Sequence, residues 1–325
     1  MDMNATRLVS ISLLVGFVAV TAKPAAAETD AEWKPTVFNK ISKCRSLWIG
    51  LGDVPGDSNA ATRDTTFVCH PRFVLSHDNA TKTPDWVIER LTKAQVSGHN
   101  DRPNKKFGPE PHVPPRGRAV DKDYPPRESG FARGHMAPSE DFNSSAAAMK
   151  DTFVLSNAVP QVGARFNGSI WATLEDEVRK AAKARGDIYV ITGPVRGTAT
   201  ARSRTIAQAD NGCGKKIDLD GPQQVQFCAA NNQNSGVACT KGVGVPIALF
   251  KIIYDPKQGT AYAFVLPNKE HPSKTDDEAR PYLAGFRVTV AAIEGVTGLK
   301  FFRELAAAKQ EKAVKQCAAD NLWAP

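Results

Sequence analysis

Beyond Val20 this chain has no long apolar run, which excludes a membrane-spanning helix anywhere later in the sequence. It has no internal repeat and no regular βαβ rhythm, which argues against solenoids and doubly wound parallel sheets and favours an α+β fold. CxxC and HxxxH spacings are missing around Cys213, Cys228 and Cys239, so a metal cluster there is the weaker alternative to disulfides. Histidine is scarce, with six in 325 residues. One of them, set in a charged motif, therefore carries more information than it would in a histidine-rich chain.

The single apolar run, Leu8 to Val20, follows Arg7 and leads into "AKPAAAETD", where Ala25 and Ala27 meet the small-x-small rule of signal peptidase. Residues 1–27 read as a signal peptide cleaved after Ala27, with an uncleaved anchor as the alternative. The expected product, residues 28–325, is a secreted or periplasmic single domain with no membrane contact in its mature form. All six cysteines lie in that portion, and an even number in an oxidising compartment suggests up to three disulfides. Cys44 with Cys69 is the expected local bridge, because both flank one N-terminal segment. The formal net charge of +8 favours acidic partners, of which nucleic acid is the commonest polyanion.

Along the chain, "RFVLSH" reads as a strand and "PDWVIERLTK" is ambiguous between strand and helix. Residues 98–126, rich in Pro, Gly and charge, read as a long surface loop, since apolar segments resume on both sides. "SSAAAMKDTFVLSN" predicts a short helix running into a strand that ends at Asn157. "NGSIWATLEDEVRKAAKARG" predicts the clearest helix, with Asn167 as its cap and Gly186 as its end. "DIYVITGPV" predicts a buried strand, and "VPIALFKIIYD" with "AYAFVLPN" a hairpin around "PKQG". A further strand is expected at "FRVTVAAIE" and a terminal helix from about Phe301 to Cys317. Between them, residues 196–245 read as an irregular, disulfide-pinned insertion.

The chemistry concentrates in "FARGHMAPSEDF", residues 131–142. If 131–135 are extended, Arg133 and His135 project to one face. An adjacent arginine tends to keep the imidazole neutral, as a general base must be, and Gly134 lets a backbone or ligand approach. On the later helix, Asn167, Trp171 and Glu175 are spaced by four and so share a side. An amide at a helix start with a carboxylate further along suits a hard, hydrated cation, and Asn157 offers another amide. The structural alternatives are a turn after a strand, a capping Asn and an exposed Glu. His70, His77, His99, His112 and His271 read as surface or structural.

Taken together, "ARGHMAPSEDF", "SNAVPQ", "FNGSIWATLEDEV", "IYVITGPV", "VPIALFKIIYD" and "GLKFFREL" resemble the DNA/RNA non-specific endonucleases, the ββα-metal or His-Me finger nucleases, over roughly residues 65–305. The resemblance implies a central antiparallel sheet flanked by helices, with a ββα-metal finger packed on one side. It makes His135 the general base, Asn167 the direct protein ligand of Mg2+ (Mn2+ being an acceptable substitute), and Arg133 the phosphate-stabilising residue. Asn157 and Glu175 become supporting site residues, and Arg102 the substrate-binding arginine upstream of the motif. It further implies DNA and RNA as substrates, 5′-phosphorylated products, and a homodimer and an inhibitor protein as candidate partners. Ala132 stands where the family carries an aspartate, and the stretch 196–245 is longer than the family core. A nucleic-acid-binding protein with weakened catalysis and a phosphodiesterase on small substrates are the alternatives. The loop cations Arg102, Lys105, Lys106, Arg116 and Arg118 favour a polymer.

Overall fold

A computed structural model describes residues 44–57, 63–124, 130–197, 203–207, 212–221 and 242–317. The expected leader, Cys228 and Cys239 lie outside the described residues. In chain order the first strands are β1 (Gly56–Asp57), β2 (Thr65–Cys69), β3 (Phe73–Asp78), β4 (Thr83–Leu91) and β5 (Phe131–His135). Then come α1 (Ala146–Asp151), β6 (Ala158–Val162), α2 (Ile170–Arg185), β7 (Ile188–Val195), β8 (Ser203–Ile206) and β9 (Ile217–Asp220). The last part holds β10 (Ala248–Asp255), β11 (Thr260–Pro267), α3 (Asp276–Ala284), β12 (Arg287–Val288), α4 (Val290–Thr297), β13 (Leu299–Lys300) and α5 (Ala307–Lys315).

Seven of these strands form one antiparallel sheet in the order β12-β11-β10-β7-β4-β3-β2. Its middle strands β7, β10 and β11 are buried at every position, because both faces of the sheet are covered. That explains why "IYVITGPV" and "ALFKIIYD" read as unbroken apolar runs instead of alternating ones. On one face Val87, Leu91, Leu249 and Ile253 pack under α2 through Trp171, Leu174 and Val178. On the other, Trp86, Ile88, Phe250 and Ile252 pack against Ile293 of α4, Val314 of α5 and the N-terminal Trp48. The fold is α+β as expected, and the ambiguous "PDWVIERLTK" is a strand whose two faces feed these two cores.

Cys44 is paired with Cys69, as the local spacing suggested, and Cys213 is paired with Cys317, 104 residues apart. The second bridge pins the segment just before β9 to the chain just beyond α5. Residues 196–245 are therefore not wholly irregular: β8 and β9 pair as an antiparallel ladder within them.

Other expectations need correction. The strand expected at "FRVTVAAIE" is only Arg287–Val288, because Thr289 turns the chain into α4 by accepting a hydrogen bond from Ala292 N at 3.2 Å. The terminal helix starts at Ala307, since Phe301 and Phe302 are drawn into the core instead. The segment before Asn157 is a 3-10 turn, Leu155–Asn157, and its strand begins after that residue, at Ala158. Ser169, not Asn167, is the N-cap position of α2, and Asn167 closes a π-helical turn over Gly163–Asn167.

Candidate active site

The motif folds as a strand, a turn and a helix. β5 pairs antiparallel with β6, setting Arg133 opposite Pro160 and His135 opposite Ala158. Between them the chain makes a 3-10 turn at Ser139–Phe142 and then α1, capped by Ser145. Asn157 holds this unit together. Its Oδ1 accepts from Ala137 N at 2.9 Å, and its Nδ2 donates to Ala137 O and Thr152 O, both at 3.0 Å. The carboxamide is fully buried and every contact is to backbone, so Asn157 fixes the site from beneath and does not face a substrate.

His135 is 6 % exposed, its ring set against Phe107 at 4.5 Å and Phe153 at 4.8 Å between centroids. Burial among these rings lowers its pKa from the ordinary 6.5 to about 3, with the nearby charge of Arg102 adding to the effect. The imidazole is thus neutral as expected, but the cause differs. Desolvation dominates, and the arginine that matters is Arg102, which lies 5.3 Å over the Phe153 ring, not Arg133. Arg133 turns to Asp121, bonded at 2.8 Å, and rests 5.5 Å over Tyr124. Gly134 is required because Gln161 packs where a Cβ would stand, so the close approach is made by a side chain of this protein and not by a ligand.

Asn167 is half-buried on the π turn, which packs against β5 and runs into α2. Its carboxamide has no hydrogen-bond partner among the described residues. Glu175, two helical turns on along α2, is partly buried and lies close enough to Lys251, Asp141 and Arg179 to feel their charges. Burial raises its pKa to about 7, and Asp141 adds to the rise, while Lys251, Arg179 and the Trp171 indole oppose it. Trp171 is fully buried, so the expected shared face of Asn167, Trp171 and Glu175 points partly into the core. No group of three or more His, Cys, Asp and Glu side chains among the described residues could hold a metal. One unpaired carboxamide and one carboxylate instead fit a hard cation that keeps most of its own water.

Sequence reasoning missed the charged layer beneath. Lys251 is buried, donates to Thr192 Oγ1 at 2.7 Å and lies 5.2 Å from the Trp171 ring. Arg179 bonds Asp141 at 2.8 Å, and Glu89 is sealed in, its pKa raised by burial and by Asp141. The signals were present: a lone lysine inside "IALFKIIYD", and Asp141 among the acids that follow His135. Of the loop cations, Arg102, Lys105, Lys106 and Arg116 are exposed and Arg118 is partly buried, and three of them also make local surface bonds. Arg118 donates to Val113 O and Pro111 O, Arg116 pairs with Asp64, and Lys105 bonds Lys150 O. Four of the other histidines are structural. His77 and His271 bond the carbonyls of Gly117 and Pro267, while His70 and His112 clasp Glu110, which also accepts from Ser156 beside Asn157. His99 is exposed.

The model of the DNA/RNA non-specific endonuclease family matches residues 54–308. This chain belongs to that family. The match spans both faces of the sheet and the whole finger, so this endonuclease-family chain carries its His135 motif inside the family's own framework. Among its relatives is the human "Nuclease EXOG, mitochondrial", 32% identical over 243 residues, 73% of this chain but only 57% of the human protein. The "Nuclease C1" of Cunninghamella echinulata var. echinulata is 33% identical over 255 residues, 77% of this chain and 86% of that one. The solved structure described as the EndoG/EndoGI complex, with its mechanism of EndoG inhibition, aligns with TM-score 0.62 and 26% identity, over 86% of this chain and 98% of that one.

Proposed function

We propose that this protein is an exported endonuclease that hydrolyses phosphodiester bonds of DNA and RNA, with Mg2+ as its cofactor (Mn2+ serving in its place) and 5′-phosphorylated products. The observation that carries the reading is a neutral imidazole, desolvated by two phenylalanine rings and flanked by the Arg102 cation, in a family of nucleic-acid-cleaving proteins.

His135 accepts a proton from the attacking water. Arg133 exchanges Asp121 for the scissile phosphate; Asp121 is 75% exposed, so the exchange returns a carboxylate to water at little cost. Arg102, over Phe153 beside His135, supplies a second cation. Asn167 would hold the metal through its amide oxygen, with Glu175 orienting the water around it, and the ion when bound neutralises charge on the leaving oxygen. None of these groups reads a base, so cleavage is indifferent to sequence.

Export is supported by the leader-like residues 1–27 and by the two disulfides. Several relatives are named as mitochondrial, so sequencing the mature N-terminus decides between the two addresses; a start at Glu28 supports export. The inhibition described for the EndoG complex is the ground for proposing an inhibitor protein as a partner. The rival is a phosphodiesterase on small substrates, against which the exposed cations Arg102, Lys105, Lys106 and Arg116 favour a polymer. Plasmid DNA incubated with Mg2+, with excess chelator, and after Mg2+ is restored tests the main reading. Reversible loss of nicking in chelator is expected; undiminished nicking there removes the metal. Competition by long DNA for a small phosphodiester separates the rival.

A further inference from the structure

Thr152 is fully buried at the end of α1, and its hydroxyl meets two groups: Met149 O at 2.7 Å and Nε2 of His135 at 3.3 Å. A hydroxyl has one hydrogen and two lone pairs, and a carbonyl can only accept. The shorter contact places that hydrogen on Met149 O, so Thr152 turns a lone pair toward the imidazole. A neutral imidazole has one N–H. It satisfies this contact only when the hydrogen is on Nε2, which leaves the lone pair on Nδ1. Nδ1 has no protein partner among the described residues, and it is not one of the side-chain atoms shut off from solvent. The unprotonated nitrogen is therefore the one that reaches outward.

We propose that Thr152 is a positioning residue whose hydroxyl accepts from Nε2–H of His135 and fixes the tautomer in which Nδ1 takes the proton from water. Thr152 is itself held. Its carbonyl accepts from Asn157 Nδ2 at 3.0 Å, and Asn157 also grips Ala137, two residues beyond His135. One buried carboxamide thereby ties the strand end that carries the imidazole to the helix end that carries the hydroxyl. A ring flip would set a C–H against Oγ1 and lose the bond, and Phe107 and Phe153 confine the ring on its faces. In the step served, a water O–H proton passes to Nδ1, the water oxygen bonds phosphorus, and the P–O3′ bond breaks. The leaving oxygen takes a proton from solvent, and the imidazolium returns its proton there.

The catalytic half of this inference rests on the nuclease reading of His135; the tautomer half does not. Thr152→Val keeps the side-chain shape and removes the acceptor, while Thr152→Ser keeps the acceptor. Loss of an orienting partner is worth roughly 10- to 100-fold in kcat, so Thr152→Val should fall by that much on plasmid DNA with KM nearly unchanged, and Thr152→Ser should recover most of it. Nitrogen-15 NMR of the metal-free wild-type chain at pH 7 should show Nε2 protonated and Nδ1 bare, with a mixed pattern in Thr152→Val. A wild-type spectrum with Nδ1 protonated, or full kcat in Thr152→Val, overturns the proposal. If Thr152→Val does not fold, the wild-type spectrum still decides. A wild type that cleaves no nucleic acid defeats the nuclease reading while the spectrum judges Thr152 separately.

Discussion

Replacing Glu175 with glutamine should make the protein more stable and less active at the same time. Burial on α2, reinforced by Asp141, raises the Glu175 carboxyl from 4.5 to about 7 against the pull of Lys251 and Arg179. A raised carboxyl binds its proton more tightly in the folded than in the unfolded chain. Its stabilising contribution is therefore complete below about pH 4.5 and is lost as pH rises through about 7. The shift corresponds to at most about 3 kcal/mol. Glutamine imitates the protonated form at every pH. Urea unfolding in chelator should thus find Glu175→Gln close to wild type at pH 4.5 and more stable at pH 8, by up to about 3 kcal/mol. Activity at pH 8 should drop, because the carboxylate that orients water is gone. Equal stability of the two proteins at pH 8 would refute the burial argument, whatever happened to activity.

Asn157→Ala leaves Ala137 N–H, Ala137 O and Thr152 O without their partner, so it should cost roughly 3 kcal/mol at about 1 kcal/mol per bond, read by denaturant midpoint; a loss below 1 kcal/mol contradicts the staple role. Arg133→Gln should lower kcat/KM on DNA by about 10- to 100-fold and flatten the fall of activity with salt, whereas Asp121→Ala should tighten substrate binding by freeing Arg133; an unchanged salt slope in Arg133→Gln counts against its phosphate contact. Opening the Cys213–Cys317 bridge by double serine substitution should cost about 2–4 kcal/mol, measured as a fall in Tm, and an unchanged Tm would show that the 104-residue link does not constrain the unfolded chain.

Local pattern made much of the architecture legible. Period-two spacing placed Arg133 and His135 on β5, β-branched runs marked β7 and β10, and Gly186 ended α2 where its φ of 90° suits a glycine. What the pattern could not supply was partnership across the chain. In the sequence nothing marks Lys251 out beyond being a lone lysine in an apolar strand; α2 laid over it gives it partners. Nothing in the sequence singles out Thr152; only the fold sets its hydroxyl against His135. Arg133 and Arg102 were both in view, but which one biases the imidazole depends on the path of the loop that begins at residue 98, and that is set by the Gly108–Val154 bridge and the Glu110 clasp. Thr289 competed between strand and cap, and its side chain settled the matter in favour of the cap.

The claim on which the account turns is that the buried, neutral imidazole of His135 abstracts the proton from water. Nicking of supercoiled plasmid by wild type and His135→Ala, in Mg2+ at pH 8 and with both proteins shown folded by matching Tm, tests it directly. The variant should lose about 10²- to 10⁴-fold in rate, the usual worth of a placed general base. A variant that nicks at the wild-type rate contradicts the account.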